Sequence, residues 1–477
     1  MPASDKLNCI LIIIDTLRAD HLSCYGYFRK TSPNIDELAE TGVMFKDFHS
    51  SGIPTGPGFT SIFTGLFPIH HKFYITPWNL PNLIDFDDEI PTLPEIIIDN
   101  APYYVTAAFD NLMNFASHMD QFVRGFEYYI NVTKSSRPIA HHVIGERINE
   151  RLIPWLQHHK DEKFFLFVHY WDPHTPYNQP EDYRNIFKHE PGNLSDLKVE
   201  RAPAGYQYVP GWGRVGELWE PAPNSNVTID LYDGEIRYVD TLVGELINEL
   251  KKLKIDDNTV VIITSDHGEQ LGQHGIYDHR MLHEAVTHVP LIIWGPGNVP
   301  EGKIINGYAQ HVDIAPTILD FLGIDYDEEM FDGQSLVKSM ESGYVDRAVV
   351  FMEGHEYRGL IKDRWKYMLN YFKGTEELYN LAEDPMEVVN RVTNEPSLAQ
   401  EMRETLLNWV SENLEDEVDP LWIQMSKWAA EWNRRLGKLM PDLAPRPTLI
   451  EGVDIPIPPD TESIPSRKLG AKRNRRS

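Results

Sequence analysis

The sequence predicts an α/β fold in which a mostly parallel β-sheet is covered by helices on both faces. Continuous apolar runs of five or six residues, the pattern of fully buried strands, recur along the chain. These runs are residues 10–14, 104–108, 164–169, 259–264 and 289–293. Helical periodicity fills the gaps between them, and the longest such segment covers residues 232–253. Strands that alternate with helices favour a parallel sheet, because each crossover places a helix on one face.

Length and composition restrict the class of protein. The chain has 477 residues, 42% of them hydrophobic and 24% charged, which is ordinary for a globular protein. Its formal net charge of −28 argues against nucleic acid as a partner, because an acidic surface repels the phosphate backbone. No segment approaches the ~20 apolar residues of a membrane span, and the first apolar run is too short for a signal peptide. We therefore expect a cytoplasmic protein that contacts no membrane.

Changes in sequence texture predict three regions. Residues 1–345 contain the alternating strands and helices and form the predicted catalytic domain. Residues 346–440 begin with alternating polar and apolar positions, as in antiparallel strands, and return to helical periodicity, so they predict a smaller C-terminal α+β domain. Residues 441–477 are rich in proline and end in a basic cluster, which predicts an extended tail. A homo-oligomer, if one forms, is expected to use the C-terminal region.

Residue types that bind metal ions follow two of the predicted strands. Asp15 ends the first apolar run, and Asp266 and His267 follow the run at 259–264. Ligands bind beyond the carboxyl ends of strands in open parallel sheets. A single Asp at a strand end is often only a helix N-cap, so the prediction depends on the three residues together. This donor set suits Zn²⁺ or Mn²⁺ better than Ca²⁺, because histidine is a poor calcium ligand.

The segment at residues 54–65, PTGPGFTSIFTG, presents a hydroxyl before a helix. Its prolines and glycines break regular structure, and a helix is predicted from Thr60 onward. A hydroxyl at a helix N-terminus, such as that of Thr55, meets backbone N–H groups and the positive end of the helix dipole, which favour an oxyanion. Taken alone, Thr55 is better explained as an N-cap or turn residue.

Five motifs in chain order resemble those of the sulfatase family, within the alkaline phosphatase superfamily. They are IIIDTLRADHLSCYGY, PTGPGFTSIFTGLFPIHH, FLFVHYWDPHTPY, TSDHGEQLGQHGIYDHRMLHEAVTHVPLII and ELYNLAEDP, and they extend over residues 7–390. Agreement of five ordered motifs by chance is negligible. The resemblance implies an alkaline phosphatase-like fold, and it implies an ester hydrolase that acts on a small anionic substrate with a divalent metal ion as cofactor.

The resemblance also implies roles for individual residues. The implied metal ligands are Asp15, Thr55, Asp266 and His267. The implied catalytic residues are Thr55 as nucleophile, with His174 and His279. We predict five substrate contacts at or beside the corresponding motif positions: Phe59, Asn111, His174, His279 and Arg280. Whether a second metal ion binds stays open, and its candidate ligands are Asp172, His174 and His311.

Several positions depart from the family pattern, and the departures change the expected substrate. Thr55 stands where sulfatases have the Cys or Ser that becomes formylglycine, and threonine cannot form that aldehyde. Phe59 replaces the motif arginine, and Asp110 and Asn111 occupy the place of a motif lysine. The site therefore has fewer cations than a dianionic phosphate monoester needs. We expect a phosphodiester or phosphonate monoester as substrate, with Phe59 as an apolar wall for the second substituent.

Alternatives remain at the residue and protein levels. His174 could be a loop histidine, His279 and Arg280 could be surface residues, and Phe59 could pack in the core beneath its helix. The protein could also be a sulfatase that uses unmodified threonine. A non-catalytic protein that kept the fold and the metal ion is the third interpretation.

Overall fold

The computed structural model describes residues 6–74, 86–110, 120–132, 145–175, 177–188, 225–371, 373–414 and 417–435. Its strands, numbered along the chain, are β1 (Asn8–Ile14), β2 (Val43–His49), β3 (Gly52–Ile53), β4 (Tyr104–Asp110), β5 (Tyr128–Asn131), β6 (Lys163–Tyr170), β7 (Thr259–Thr264), β8 (Gln270–Leu271), β9 (Tyr277–Asp278), β10 (Leu291–Trp294), β11 (Lys303–Gln310), β12 (Val349–Gly354), β13 (Tyr357–Lys362), β14 (Trp365–Asn370) and β15 (Thr375–Asn380).

The helices are numbered in the same way. They are α1 (Pro33–Thr41), α2 (Thr55–Thr64), α3 (Pro68–His71), α4 (Leu93–Asn100), α5 (Glu146–His159), α6 (Glu181–Arg184), α7 (Ser225–Leu253), α8 (Glu284–Thr287), α9 (Ile314–Leu322), α10 (Val337–Ser342), α11 (Pro396–Leu414) and α12 (Pro420–Arg435). Among the described residues, no helix combines the length and the hydropathy needed to cross a membrane.

The main sheet has eight strands in the order β11–β2–β10–β7–β1–β6–β4–β5. All neighbouring pairs are parallel except those of β10, which runs antiparallel to β7 and β2. The predicted mostly parallel sheet is confirmed, and each of the five apolar runs contributes a strand. β10 is reversed because the chain between β7 and β10 turns back at the carboxyl end of β7 and does not cross the sheet on a long helix.

The two faces of this sheet bury different side chains, as the two-residue period of a strand requires. Cys9, Leu11 and Ile13 of β1 pack with α2, α4 and α9, whereas the alternate residues of the same strand pack with α1, α5 and α7. Every side chain of β1 is fully buried. This explains why β1 reads as a continuous apolar run and why Asp15, which follows it, lies inside the protein.

A second sheet joins the C-terminal part of the chain to the segment before Thr55. Its order is β15–β14–β13–β12–β3, with antiparallel pairs throughout β12–β15 and a parallel pair between β12 and β3. Helices α11 and α12 cover one face through Met402, Leu406 and Leu421. The sheet therefore takes its last strand from Gly52–Ile53, two residues before the predicted nucleophile.

Candidate active site

Adjacent strands β1 and β7 bring the predicted metal ligands together. Their parallel register places Ile13 beside Thr264, so Asp15 and Asp266 both lie just beyond the same edge of the sheet. Among the described residues, Asp15, Asp266 and His267 form the one group of three or more His, Cys, Asp or Glu whose candidate ligand atoms all lie within 4.8 Å of one another. All three side chains are fully buried.

The donor atoms of this group fit a divalent cation. Oδ2 of Asp15 is 3.4 Å from Nε2 of His169, whereas Oδ1 of Asp15 and Oδ2 of Asp266 accept no hydrogen bond from a described residue. Nδ1 of His267 faces the carbonyl of Gly268 at 2.8 Å, so Nδ1 carries the proton and the lone pair of Nε2 is left for a ligand. Buried carboxylate oxygens without a donor are costly unless a cation neutralises them. Two carboxylates and one imidazole suit Zn²⁺ or Mn²⁺.

The backbone after Asp15 is strained in a way that fixes Asp266. Thr16 has a φ of 57°, which is rare for a β-branched residue. In this conformation its N–H donates to Oδ1 of Asp266 at 3.2 Å, and its carbonyl accepts from Tyr232 at 2.7 Å. The N–H of His267 also donates to Oδ1 of Asp266, at 2.9 Å. Strain of this kind persists where the surrounding structure holds it and is frequent at functional sites.

Thr55 lies at the first position of α2, next to the candidate metal ligands. Its Oγ1 is 3.2 Å from Nε2 of His267. The prediction of a helix from Thr60 was wrong by five residues, because Pro57 is tolerated in a first turn, where backbone N–H groups have no acceptor within the helix. Gly58 lets α2 approach the end of β7, since a Cβ there would stand 2.9 Å from the carbonyl oxygen of Asp266.

His169 and Asp110, which the motifs do not assign to the site, lie behind Asp15. Nε2 of His169 is 3.4 Å from Oδ2 of Asp15, and its Nδ1 is 2.7 Å from Oδ1 of Asp110. All three side chains are fully buried. Burial opposes a charged ring, but the bonds to Asp110 and Asp15 outweigh it and raise the pKa of His169 to about 9. The feature of the sequence that could have indicated this pair is a histidine, His169, at the end of the apolar run of residues 164–169.

The two carboxylates of the centre differ in their electrostatics. For Asp15, burial disfavours the charged form, but His169, His174 and His267 together hold its pKa below the usual value. For Asp266, burial and then the negative charge of Asp15 raise the pKa. A cation between the two carboxylates would remove this repulsion.

Predicted catalytic histidines form a cluster beside His267. The ring of His279 stacks on that of His267 with centroids 4.5 Å apart, and the ring of His174 is 5.5 Å from that of His279. Nδ1 of His279 is 3.2 Å from Oε2 of Glu269. His174 Nδ1 instead faces the carbonyl of the next residue, and burial lowers the pKa of His174.

The other residues predicted to contact the substrate differ in where they lie. Arg280 is half-buried, and its charge, after that of Lys373, opposes the burial that raises the pKa of Glu356. Phe59 does not form an apolar wall: its ring is fully buried and packs against Phe63 and Phe167. Phe59 is instead a core residue beneath α2, as the alternative interpretation predicted, because α2 turns this side chain toward the sheet. Asn111 lies outside the described residues.

The candidate ligands of a second metal ion have other partners. His311 is buried, with Nδ1 3.3 Å from Oγ of Ser50 and Nε2 2.8 Å from the carbonyl of Ser265. Asp172 accepts from the N–H of Gly145 at 2.9 Å. In the part of the chain that the structure describes, Asp172, His174 and His311 do not form a group of ligands.

Known proteins share this fold along almost their whole length. A phosphonate monoester hydrolase of Agrobacterium radiobacter has a TM-score of 0.68 and 22% identity, with 86% of this chain and 96% of that chain covered. A protein solved with its substrate D-glucosamine-2-N,6-O-disulfate has a TM-score of 0.70 and 20% identity, with coverages of 87% and 99%. These likenesses confirm the alkaline phosphatase-like fold, including the C-terminal sheet.

Sequence comparisons identify the family. A "Sulfatase" of Formosa agariphila is 27% identical over 439 residues, which cover 82% of this chain and 84% of the relative. Residues 272–413 match the model of the N-sulphoglucosamine sulphohydrolase C-terminal region. The sulfatase family model matches residues 7–324. The chain therefore belongs to the sulfatase family of hydrolases, within the alkaline phosphatase superfamily.

Proposed function

We propose that this protein is a metal-dependent hydrolase of phosphodiesters or phosphonate monoesters with Thr55 as its nucleophile. The observation that carries the proposal is the place of Oγ1 of Thr55, at the N-terminus of α2 and 3.2 Å from His267. Threonine cannot become formylglycine, so its own hydroxyl is the group that can attack.

The chemistry follows from the groups around Thr55. A Zn²⁺ or Mn²⁺ ion held by Asp15, Asp266 and His267 would supply Lewis acidity, lowering the pKa of a bound hydroxyl and neutralising charge on the ester. Oγ1 of Thr55 attacks phosphorus, and the bond from phosphorus to the leaving oxygen breaks. Water then cleaves the phosphothreonine ester and restores the hydroxyl.

His279 is the better donor of a proton to the leaving oxygen. Its Nδ1 faces the carboxylate of Glu269, which stabilises a positive ring. Nδ1 of His174 faces a neutral carbonyl, and burial lowers the pKa of this ring, so His174 is better suited to contact the ester as a neutral imidazole.

Charge favours a monoanionic ester. The buried ring of Phe59 occupies the motif position of an arginine, so α2 offers no cation to a phosphoryl oxygen there. A phosphate monoester brings about two negative charges to its transition state and needs several cations. Diesters and phosphonate monoesters bring fewer, which is why they are the proposed substrates.

A sulfate ester is the second candidate. The relative from Formosa agariphila is named a sulfatase, and sulfate esters are also monoanionic. We place this candidate second because unmodified threonine differs from the formylglycine nucleophile that the resemblance implies for sulfatases. A non-catalytic role fits least, since the metal-ligand group and the pair of Glu269 and His279 are both assembled.

A panel of four aryl esters with one leaving group tests the proposal. The phosphodiester, phosphonate monoester, phosphate monoester and sulfate ester are assayed on one preparation whose metal content is measured. We expect kcat/KM for the better of the first two to exceed that for the other two by at least tenfold, about 1.4 kcal/mol. Preference for the sulfate ester supports the second candidate, and preference for the phosphate monoester contradicts the charge argument.

A further inference from the structure

Glu269 contacts His279 and is neither the proposed nucleophile nor a candidate metal ligand. Its Oε2 lies 3.2 Å from Nδ1 of His279, and the residue is only 5% exposed. Because Nδ1 is the ring nitrogen that contacts Glu269, Nε2 lies on the other side of the ring, away from this carboxylate. A proton that His279 gives to a leaving oxygen would therefore leave from Nε2.

The backbone of Glu269 is held in place by a buried arginine. Nη1 of Arg18 donates to the carbonyl of Glu269 at 3.0 Å. The same guanidinium donates to Asp20 from Nε at 2.8 Å and from Nη2 at 2.6 Å, and Arg18 is 1% exposed. A bidentate ion pair of this kind has a fixed geometry. The pair with Asp20 therefore orients the guanidinium that binds the carbonyl of Glu269.

Gly268, the residue before Glu269, is also closely packed, so the backbone there has little room to move. A Cβ on Gly268 would stand 2.3 Å from the carbonyl oxygen of Ala285 and 2.9 Å from Cγ of Arg18. The N–H of Gly268 also donates to the carbonyl of Val286 at 2.7 Å. The segment from His267 to Glu269 is thus packed on both sides, and it sets where the Glu269 carboxylate can lie.

The ring of His279 lies between this carboxylate and the candidate metal ligand. It stacks on His267 with an interplanar angle of 27°. The stack restricts tilt of the ring, and the hydrogen bond to Glu269 restricts its rotation. Together the two contacts select one orientation and one tautomer of His279.

We propose that Glu269 is a positioning residue that orients His279 and fixes its tautomer for protonation of the leaving group. This inference rests on the proposed function, because it takes His279 as the proton donor. It predicts an effect that depends on the leaving group. Good leaving groups depart without a proton, whereas poor ones need the donor in the transition state.

The chain offers a matched control in a second pair of histidine and glutamate. Nε2 of His283 is 3.3 Å from Oε2 of Glu377, and both side chains are largely buried. Glu377 lies on β15 of the C-terminal sheet and makes no contact with Thr55 or the metal ligands among the described residues. Glu377→Gln therefore removes the same charge from a similar pair outside the site.

The experiment measures kcat/KM of the metal-loaded wild type, Glu269→Gln, His279→Ala and Glu377→Gln on two phosphodiesters. One has p-nitrophenol as leaving group, and the other has an alkyl alcohol. We expect Glu269→Gln to lower kcat/KM for the alkyl ester at least tenfold more than for the p-nitrophenyl ester. We expect His279→Ala to show the same bias and Glu377→Gln to show none. Melting temperatures identify variants that lose activity through unfolding.

The remaining outcomes separate the inference from the proposed function. A wild type that hydrolyses neither diesters nor phosphonate monoesters overturns the proposed function; if it hydrolyses only phosphonate monoesters, the same comparison is made on phosphonate monoesters with these two leaving groups. If the wild type is active and Glu269→Gln affects both esters equally, or affects neither, the positioning role is wrong. A bias in Glu269→Gln that is absent from His279→Ala also overturns it, because Glu269 would then act through another group.

Discussion

At the scale of single residues, the side chains of His267 and Asp266 each use one polar atom in a hydrogen bond within the protein and keep another for a ligand. His267 uses Nδ1 on the carbonyl of Gly268 and keeps Nε2 for a ligand. Asp266 uses Oδ1 on two backbone N–H groups and keeps Oδ2. Thr55 is half-buried, and its hydroxyl lies 3.2 Å from Nε2 of His267. The roles proposed for these residues follow from the atoms that their neighbours leave unused.

The role of Thr55 leads to a prediction about two substitutions. Thr55→Ala removes the attacking oxygen and should lower kcat/KM by well over tenfold, whereas Thr55→Ser keeps an oxygen and should retain measurable turnover. Both proteins should fold, because Thr55 is at a loop–helix junction and not in the core. Steady-state kinetics and melting temperatures check this. An alanine variant that keeps more than about a tenth of the activity would show that another group attacks.

The sequence predicted that Asp15, Asp266 and His267 lie together, because they follow two buried strands that end at the same edge of the sheet. It could not predict the pair of His169 and Asp110, since these residues are 59 positions apart and meet only because β6 lies between β1 and β4. Nor could it decide the place of Phe59, because a residue near the start of a helix can point an aromatic ring into the core or into a cleft. Tertiary packing decided that choice.

At the scale of elements, a pair of buried carboxyl groups joins helix α7 to the loop after β6. Asp172 accepts from Gly145 at 2.9 Å, and Glu235 of α7 accepts from the N–H of Gln179 at 2.9 Å. The negative charge of Asp172 adds to burial in raising the pKa of Glu235. Burial raises the pKa of Asp172 to about 6 and raises that of Glu235 well above its usual range. The pair therefore retains a proton where free carboxyl groups have lost theirs.

These pKa values predict a dependence of stability on pH. A pKa that is higher in the folded state contributes stability that is complete below the unfolded value of about 4 and is lost as pH rises through about 6. Glu235→Gln removes one titrating group and can still accept from Gln179 while donating to Asp172. Its free energy of unfolding should therefore fall less between pH 5 and pH 8 than that of the wild type, by roughly 1–3 kcal/mol.

Urea denaturation at pH 5, 6, 7 and 8 measures this difference. Glu245→Gln is the control, because Glu245 is an exposed residue of the same helix. Parallel pH profiles for the wild type and Glu235→Gln would show that the carboxyl pair does not share a proton in the folded protein.

Elements differ in how far the sequence reveals them. The alternating pattern after residue 346 predicted the strands of the C-terminal sheet, but β3 has only two residues and carries no periodicity. Its pairing of Gly52 with Glu353 and Ile53 with Gly354 links that sheet to the nucleophile segment. The sequence could not predict the direction of β10 either, because an apolar run has the same pattern in a parallel and in an antiparallel strand.

At the scale of the whole molecule, chain segments far apart in sequence converge at the carboxyl edge of the main sheet. Residues 15 and 266 meet there because β1 and β7 are neighbours, and residue 55 arrives on α2. Membership of the sulfatase family establishes the fold and the hydrolase class. Within that class, the proposed substrate depends on the charges at a few positions of the site.

The central claim is that Thr55 attacks phosphorus and forms a covalent intermediate that water then cleaves. The stereochemical course of hydrolysis tests it most directly, with a chiral aryl phosphorothioate diester as substrate and isotopically labelled water as nucleophile. Each in-line displacement inverts the configuration at phosphorus, so two displacements through Thr55 give net retention. We predict retention. Inversion would mean that water attacks the ester in a single step, and it would contradict the account even if Asp15, Asp266 and His267 were shown to bind the metal ion.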